Sequence, residues 1–495
     1  LPVEEEIHLT ASTERRSSAW DIQNAPKNYF SLVLAQGGGA LFAFASVWLL
    51  TRSLGSEGYG GIVAVIAASQ VVQVLVNWTG TAVVRYGVDE FIETGRIARA
   101  FWLRLIILLV NFALVLSLSQ FWFPPLADWL KLTPAVFWLL ILHFVVSALW
   151  VHLQFSFQAA KMPRQQAFLL TLERVLVFTG IIFLFFSGRL SLFSAVLCYA
   201  VIPVLMVLAA LFLLRKFIFF RFSPDWQFLK KILVYSLPLL PFSLVGYFSG
   251  GYVDAVFVSK FLSTRDLGIY SVATQINGLM LQFPTLANIL LLPLFVTLQK
   301  ESQDQQAFNY FRNVLPVLTL VWGLACTALA FAGCFAIPLI FGAEFQPAVS
   351  PLWILLLASA VSLPAFMGYF ALSNSISATY ISMYGVIFAA AANIGGNFLL
   401  IPAYGMAGCA WATVISYFVN VIVTLLLLRR KIKIPVSWVF TAMLPALGGG
   451  LSFSFMGNVW LSLFISLGLS FLVAYLYRDS VSKTIVFIKN FRKRT

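Results

Sequence analysis

The chain has 495 residues, of which 61 % are hydrophobic and 10 % charged, and its mean hydropathy is +0.92. Water-soluble proteins carry about a quarter charged residues, so this chain cannot clothe a soluble fold of its size. The apolar residues arrive in blocks of about 20, the length of a helix crossing ~30 Å of hydrocarbon. The short alternating segments of a membrane β-barrel are missing. The expected fold is therefore an all-α integral membrane protein.

In chain order, the first 28 residues are acidic and polar, and no basic stretch precedes the first apolar run. A cytoplasmic tail (1–28) without a cleavable signal peptide is expected. About fourteen spans follow, near 29–51, 60–80, 100–123, 134–156, 166–187, 190–214, 236–259, 267–297, 312–341, 351–372, 376–400, 404–428, 437–456 and 459–477. The eighth and ninth are long enough to be tilted, or kinked at Pro284 or Pro316.

Polar residues are costly inside spans, so their helical phase is informative. Gln70, Gln73, Asn77, Thr81 and Arg85 form one stripe along the second span, and His143, Ser147, Trp150 and Gln154 another along the fourth. Ser271, Gln275, Gly278 and Gln282 do the same in the eighth, as do Asn393 and Asn397 in the eleventh. Such amides either glue helices together or line a cavity, and stripes in spans two and eight favour a shared cavity wall. Glu173 and Arg174 lie inside the fifth span, and Asp254 about two turns from the outer end of the seventh. Adjacent helical positions diverge by about 100°, so one of Glu173 and Arg174 is expected to face the cavity and the other to pair with a neighbouring helix.

The segment 215–235 between spans six and seven mixes Arg215, Lys216, Arg221, Lys230 and Lys231 with Phe217, Phe219, Phe220, Phe222 and Trp226. That mixture suits an interfacial helix on the cytoplasmic leaflet, although a plain basic loop would carry the same charges. The four cysteines, Cys198, Cys326, Cys334 and Cys409, all fall inside spans and read as small apolar residues.

Lysine and arginine test the span assignment. Starting inside, 26 of the 32 fall on the cytoplasmic side, Arg104 among them, and five (Arg52, Lys131, Arg189, Lys260 and Arg265) on the other. That asymmetry puts both termini in the cytoplasm. It ties the net charge of +14 to topology and anionic lipids, with no nucleic acid partner.

Two outer turns resemble each other. Arg52-Ser53-Leu54-Gly55-Ser56-Glu57-Gly58-Tyr59-Gly60 is echoed by Lys260-Phe261-Leu262-Ser263-Thr264-Arg265-Asp266-Leu267-Gly268 at an offset of 208. Pro134-Ala135-Val136 is echoed by Pro347-Ala348-Val349 at 213. The implied repeat of six helices keeps its orientation, a common transporter design. It gives two parallel lobes, 29–214 and 236–428, joined by the linker 215–235 around a central cavity. Spans thirteen and fourteen (429–477) and a basic tail (478–495) follow. No phosphate-loop or metal-ligand spacing occurs, and the short outer loops leave no room for an enzyme's site. The expectation is a transporter without a cofactor.

The motifs agree with a known family. Arg52-x-Leu54-Gly55-x-x-x-Tyr59-Gly60 resembles the first outer turn of the Wzx-type polysaccharide and oligosaccharide flippases, a branch of the multidrug/oligosaccharidyl-lipid/polysaccharide (MOP) exporter superfamily. Arg85-Tyr86, Asp254 ahead of Gly268-Ile269-Tyr270, and Phe341-Gly342 before Phe345-Gln346-Pro347-Ala348 fit as well. So does Ile401-Pro402-Ala403-Tyr404-Gly405-Met406-Ala407-Gly408-Cys409-Ala410. The resemblance covers residues 29–430. Cys409 replaces the family's usual Ala, and Ala255 stands where a basic residue often follows the Asp, which argues against anion binding there.

The resemblance implies a polyprenyl-diphosphate-linked oligosaccharide repeat unit, flipped across the bacterial cytoplasmic membrane by alternating access for surface polysaccharide biosynthesis. Membrane lipids and a polysaccharide polymerase or export machinery would be partners. A diphosphate needs fixed cations, for which Arg85, Arg174, Arg52 and Lys260 are candidates. The sugars need amides and aromatic faces, supplied by Gln70, Gln73, Asn77, His143, Gln154, Gln275, Gln282, Asn393 and Asn397 and by the many aromatic residues. Asp254 and Glu173 are candidates for coupling to a proton or sodium gradient. The alternatives are a lipid II-type flippase and a multidrug antiporter of the same superfamily. The antiporter would want an acidic, cation-poor lining, which Arg174 and Arg85 oppose.

Overall fold

The computed structural model describes residues 2–219, 225–237, 252–300, 304–435 and 438–484, with side chains from residue 37 onward apart from positions within 286–304. No strand occurs among the described residues. The first helix, α1, is bounded by Pro2–Asn77 and breaks at Gly55, whose φ of +68° reverses the chain. Helices α2 (Gly80–Thr94), α3 (Ala98–Ser117), α4 (Ser119–Leu130), α5 (Phe137–Ala159), α6 (Pro163–Phe186) and α7 (Leu192–Ile218) complete the first lobe. The linker helix α8 (Trp226–Ser236) follows, and then the second lobe. That lobe contains α9 (Tyr252–Phe261), α10 (Thr264–Lys300), α11 (Asp304–Asn309), α12 (Leu315–Ile340), α13 (Val349–Pro364), α14 (Phe370–Ser375) and α15 (Thr379–Arg429), the last broken at Gly405. Helices α16 (Val439–Met456) and α17 (Val459–Leu476) close the chain.

Ten of the described helices are long and apolar enough to cross a membrane, and α1 and α15 each hold two expected spans across their breaks. Both break glycines belong to the family motifs, which gives those motifs a physical meaning: each is where the chain turns back. The structure refines the expected boundaries. The expected polar tail 1–28 lies within the bounds of α1. The third span ends early, and α4 takes over after Leu118. The eighth is one uninterrupted helix through Pro284. The ninth and tenth carry wide turns at Tyr310–Val314 and Ala365–Tyr369, where the Tyr310 hydroxyl donates to the Met367 carbonyl at 2.5 Å. Most of the seventh span, with Arg221, Phe220, Phe222 and the end of the basic tail, lies outside the described residues.

The two echoed turns meet each other. A Cβ on Gly60 would overlap the Thr264 carbonyl oxygen and lie 2.9 Å from the Gly268 nitrogen. A Cβ on Gly268 would overlap the Ser56 carbonyl oxygen and lie 2.9 Å from the Gly60 nitrogen. The contact is reciprocal at the 208-residue offset, so an approximate two-fold axis passes between the turns. Only glycine allows so close a backbone approach. At this end of the bundle the lobes are shut against each other.

At the opposite end, α8 docks under the first lobe. Asp225 caps it by accepting from the Phe228 amide at 2.9 Å and pairs with Arg99 at 3.4 Å. Ile232 is buried with Ala82, Leu103 and Ile107, while Trp226, Lys230 and Lys231 are exposed. A docked apolar face beside a basic, aromatic free face is the pattern of an interfacial helix.

Candidate functional site

Below the closed turns lies a cavity of about 350 Å³, bordered by Val63 of the first lobe and by α9, α10, α13 and α15 of the second. Its wall offers the polar side chains Ser271, Thr274, Gln275, Asn277, Asn393, Thr413 and Ser416, with Tyr252, Tyr270 and Tyr417, among apolar surface from Val63, Leu281 and Leu355. Gln275 of α10 lines this cavity, and Tyr59, one residue before Gly60, is 3 % exposed.

Asp254 is set into the wall. Its carboxylate accepts from the Tyr270 hydroxyl (3.0 Å), the Thr413 hydroxyl (3.0 Å) and the amides of Asn397 (3.2 Å) and Asn393 (3.4 Å). Asn393 and Asn397, one turn apart on α15, are also linked to each other at 3.1 Å. A buried carboxylate persists only when its lone pairs are met, and four neutral donors do so without any basic side chain. Asn397 Oδ1 is buried with no partner, so the same cage presents a second oxygen of the kind that hard cations bind.

Glu173 and Arg174 diverge. Glu173 accepts from the Trp150 indole at 2.7 Å, inside the first lobe. Arg174 is exposed, its stem lies against Gly39, and it acts electrostatically on Tyr199 of the first lobe and Tyr252 of the second.

The other candidates scatter. Arg52 leaves the cavity for the closed end, where its Nε donates to the Ile340 carbonyl at 2.7 Å and its Nη2 to that of Leu339. Lys260 lies there too, its ammonium 3.4 Å from the Trp129 ring centre. Both are spent on closing the lobes because the backbone ends they reach carry unpaired carbonyls or an aromatic face. Arg85 is exposed on α2, and Gln282 is exposed on α10 beyond the cavity lining. Gln70 and Gln154 are half-buried, and Gln73 is buried with its Nε2 unpartnered. His143 is a packing residue, its Nδ1 2.7 Å from the Ser69 hydroxyl.

Asn77 serves a buried cation. Arg104, expected on the cytoplasmic side, is fully buried near the start of α3. Its Nη2 donates to Asn77 Oδ1 at 3.0 Å, Nη1 lies 2.5 Å from His152 Nδ1, and the guanidinium covers the Phe155 ring at 5.3 Å. Arg104 falls almost two turns into α3, which starts at Ala98. Tyr199 and Tyr252 were missed, because a chain with 16 tyrosines gives no signal for either of them.

A family model described as "Polysaccharide biosynthesis protein" matches residues 25–299. Among solved structures, the chain is similar to lipid II flippase MurJ in an inward closed conformation, with 15 % identity and a TM-score of 0.67 over 91 % of this chain and 99 % of that one. It is similar to an inward-facing multidrug resistance MATE family transporter of the MOP superfamily at 16 % identity and a TM-score of 0.62, covering 79 % and 94 %. The score for an outward-facing MATE structure is 0.52 at 16 % identity, covering 81 % and 94 %. At these identities the likeness establishes a shared fold. No curated protein sequence matches significantly.

Proposed function

The chain belongs to the polysaccharide biosynthesis protein family, and from that premise we propose that it is a flippase of the MOP superfamily, moving a polyprenyl-diphosphate-linked oligosaccharide from the cytoplasmic to the outer leaflet. The observation that carries the reading is a cavity whose wall offers amides and hydroxyls, with the exposed guanidinium of Arg174 within electrostatic reach of Tyr252 in that wall. Guanidinium is suited to phosphate oxygens, and tyrosine faces and amides are suited to sugars. The isoprenoid tail would stay in the bilayer while the headgroup crosses between the lobes. In this reading the termini are cytoplasmic and the closed turns face outward, so the structure stands ready to accept cargo from inside.

Energy enters at Asp254. A proton or sodium ion bound by its carboxylate, with Asn397 and Thr413 as neighbouring oxygens, would change the charge of a buried cage next to the cavity. Because Tyr270 and Asn393 belong to both the cage and the cavity wall, occupancy of one is felt by the other. Polymerase or export proteins that take up the flipped unit complete the proposal.

The experiment is rescue of a strain lacking its surface-polysaccharide flippase. The wild-type chain should restore the glycan, and Arg174→Gln should abolish it at unchanged membrane abundance. Unchanged export in Arg174→Gln removes that residue from the mechanism. A lipid II-type cargo shares the diphosphate, so rescue of a strain lacking its lipid II flippase, without rescue of the polysaccharide strain, would select that reading instead.

A further inference from the structure

The closed end holds an arrangement that goes beyond a steric seal. The break at Gly55 leaves the first amides of the following helical segment without carbonyl partners. Those of the second lobe are met within their own turn: Asp266 accepts from the Ser263 amide (3.1 Å) and hydroxyl (2.6 Å), and its own amide donates to the Ser263 hydroxyl (3.0 Å). In the first lobe the equivalent cap comes from the other lobe. The Ser56 amide donates to Glu344 Oε1 at 3.1 Å, and the Ser56 hydroxyl to Oε2 at 2.9 Å. Glu344 lies just past the end of α12, the helix whose last carbonyls hold Arg52.

The exchange is complementary. A carboxylate of the second lobe sits on the positive start of a first-lobe helix, and a guanidinium of the first lobe sits on the negative end of a second-lobe helix. Across the approximate two-fold axis, the position 213 residues before Glu344 is Lys131, which reaches the Leu262 carbonyl. No carboxylate crosses the seam on that side among the described residues. The gate therefore has one half with a charged cap donated in trans and one half that is capped in cis.

We propose that Glu344 is the latch of this gate: by capping the Ser56 turn across the seam it holds the lobes shut, and its release is required for this end to open. The proposal rests on the alternating-access reading above. It makes Glu344 a positioning residue that acts on the closed state without touching cargo.

The test is pulsed dipolar EPR on the full chain in nanodiscs, in a cysteine-free background, with spin labels at the exposed positions Asp128 and Gln346, one in each lobe. The unsubstituted latch should give one short distance. Glu344→Ala should raise the long-distance population about tenfold, the size expected for loss of a charged helix cap. Glu344→Gln, which keeps a carbonyl acceptor, should raise it less. Asp266→Ala should leave the distribution unchanged because it caps only its own turn. If Glu344→Ala does not fold, Ser56→Ala, which removes one of the two donors, must show the same direction. An unchanged distribution in the Glu344 variants, or an equal shift in Asp266→Ala, overturns the proposal. The measurement needs no cargo, so its failure is distinct from failure of the wild-type chain to rescue export.

Discussion

The two lobes share a backbone plan and differ in what they bury. At the register where the second lobe carries Asp254, 208 residues earlier the first lobe carries Ser46. Both are nearly inaccessible. Ser46 satisfies itself by donating to the Phe42 carbonyl one turn back at 2.9 Å. Asp254 draws donors from α10 and from both parts of α15. The charge buried in the first lobe is instead a cation, Arg104, held by neutral partners on two other helices. The turns kept in both copies are those that close the gate, where symmetry is useful because each turn must fit the other. The polar sites diverged, so the lobes do different work.

Substitutions at three places probe that difference. The largest effect is expected where the copies remain alike: Gly60→Val and Gly268→Val each place a branched side chain into the opposite backbone. Either should abolish closure of this end and drop export below detection. Wild-type export and a short inter-lobe distance in either variant would break the symmetric-gate account. Next comes Asp254→Asn, which turns an acceptor into a group that also donates, facing four donors. Export should fall at least about tenfold, with a stability loss of about 1–3 kcal/mol for donors left unmet, read by thermal unfolding in detergent. A variant that kept a gradient-dependent rate would move coupling away from this cage. The third substitution gives the first lobe a carboxylate. Ser46→Asp should cost ~2.5–3.5 kcal/mol, the toll of a charge within a span, because no amide cage surrounds it. Ser46→Ala should cost about 0.5–1 kcal/mol for one lost hydrogen bond. Equal stabilities of the two variants would mean that the first lobe holds a hidden cage of its own.

Much of this architecture was legible in the sequence, for reasons that also explain what was not. Spans and their breaks follow from hydropathy and from glycine, which is why Gly55 and Gly405 were visible as motif positions before their left-handed φ values were known. The echoed turns were readable because close backbone approach restricts the residue type at Gly60 and Gly268. Asn393 and Asn397 stood out as amides in an apolar helix. Tyr270 was visible only as a motif position after Asp254, and Thr413 not at all, because hydroxyls in spans are common and their meeting depends on packing of distant segments. Glu344 was invisible for a related reason. A single acid at a span end reads as a solvated loop residue until the facing helix start is in place. Arg52 and Lys260 were read as cargo contacts on charge alone, whereas the carbonyls and ring that claim them belong to the opposite lobe.

The most direct test of the central claim is transbilayer movement itself. Purified protein would be placed in vesicles with a polyprenyl-diphosphate oligosaccharide, and the fraction of headgroups open to an impermeant sugar-cleaving enzyme followed over time. Without protein the inner-leaflet fraction should stay protected; with the wild-type chain it should become accessible, and with Arg174→Gln it should stay protected. A wild-type chain that left the inner headgroups protected under an imposed gradient, or an Arg174→Gln variant that exposed them as fast, would contradict the account.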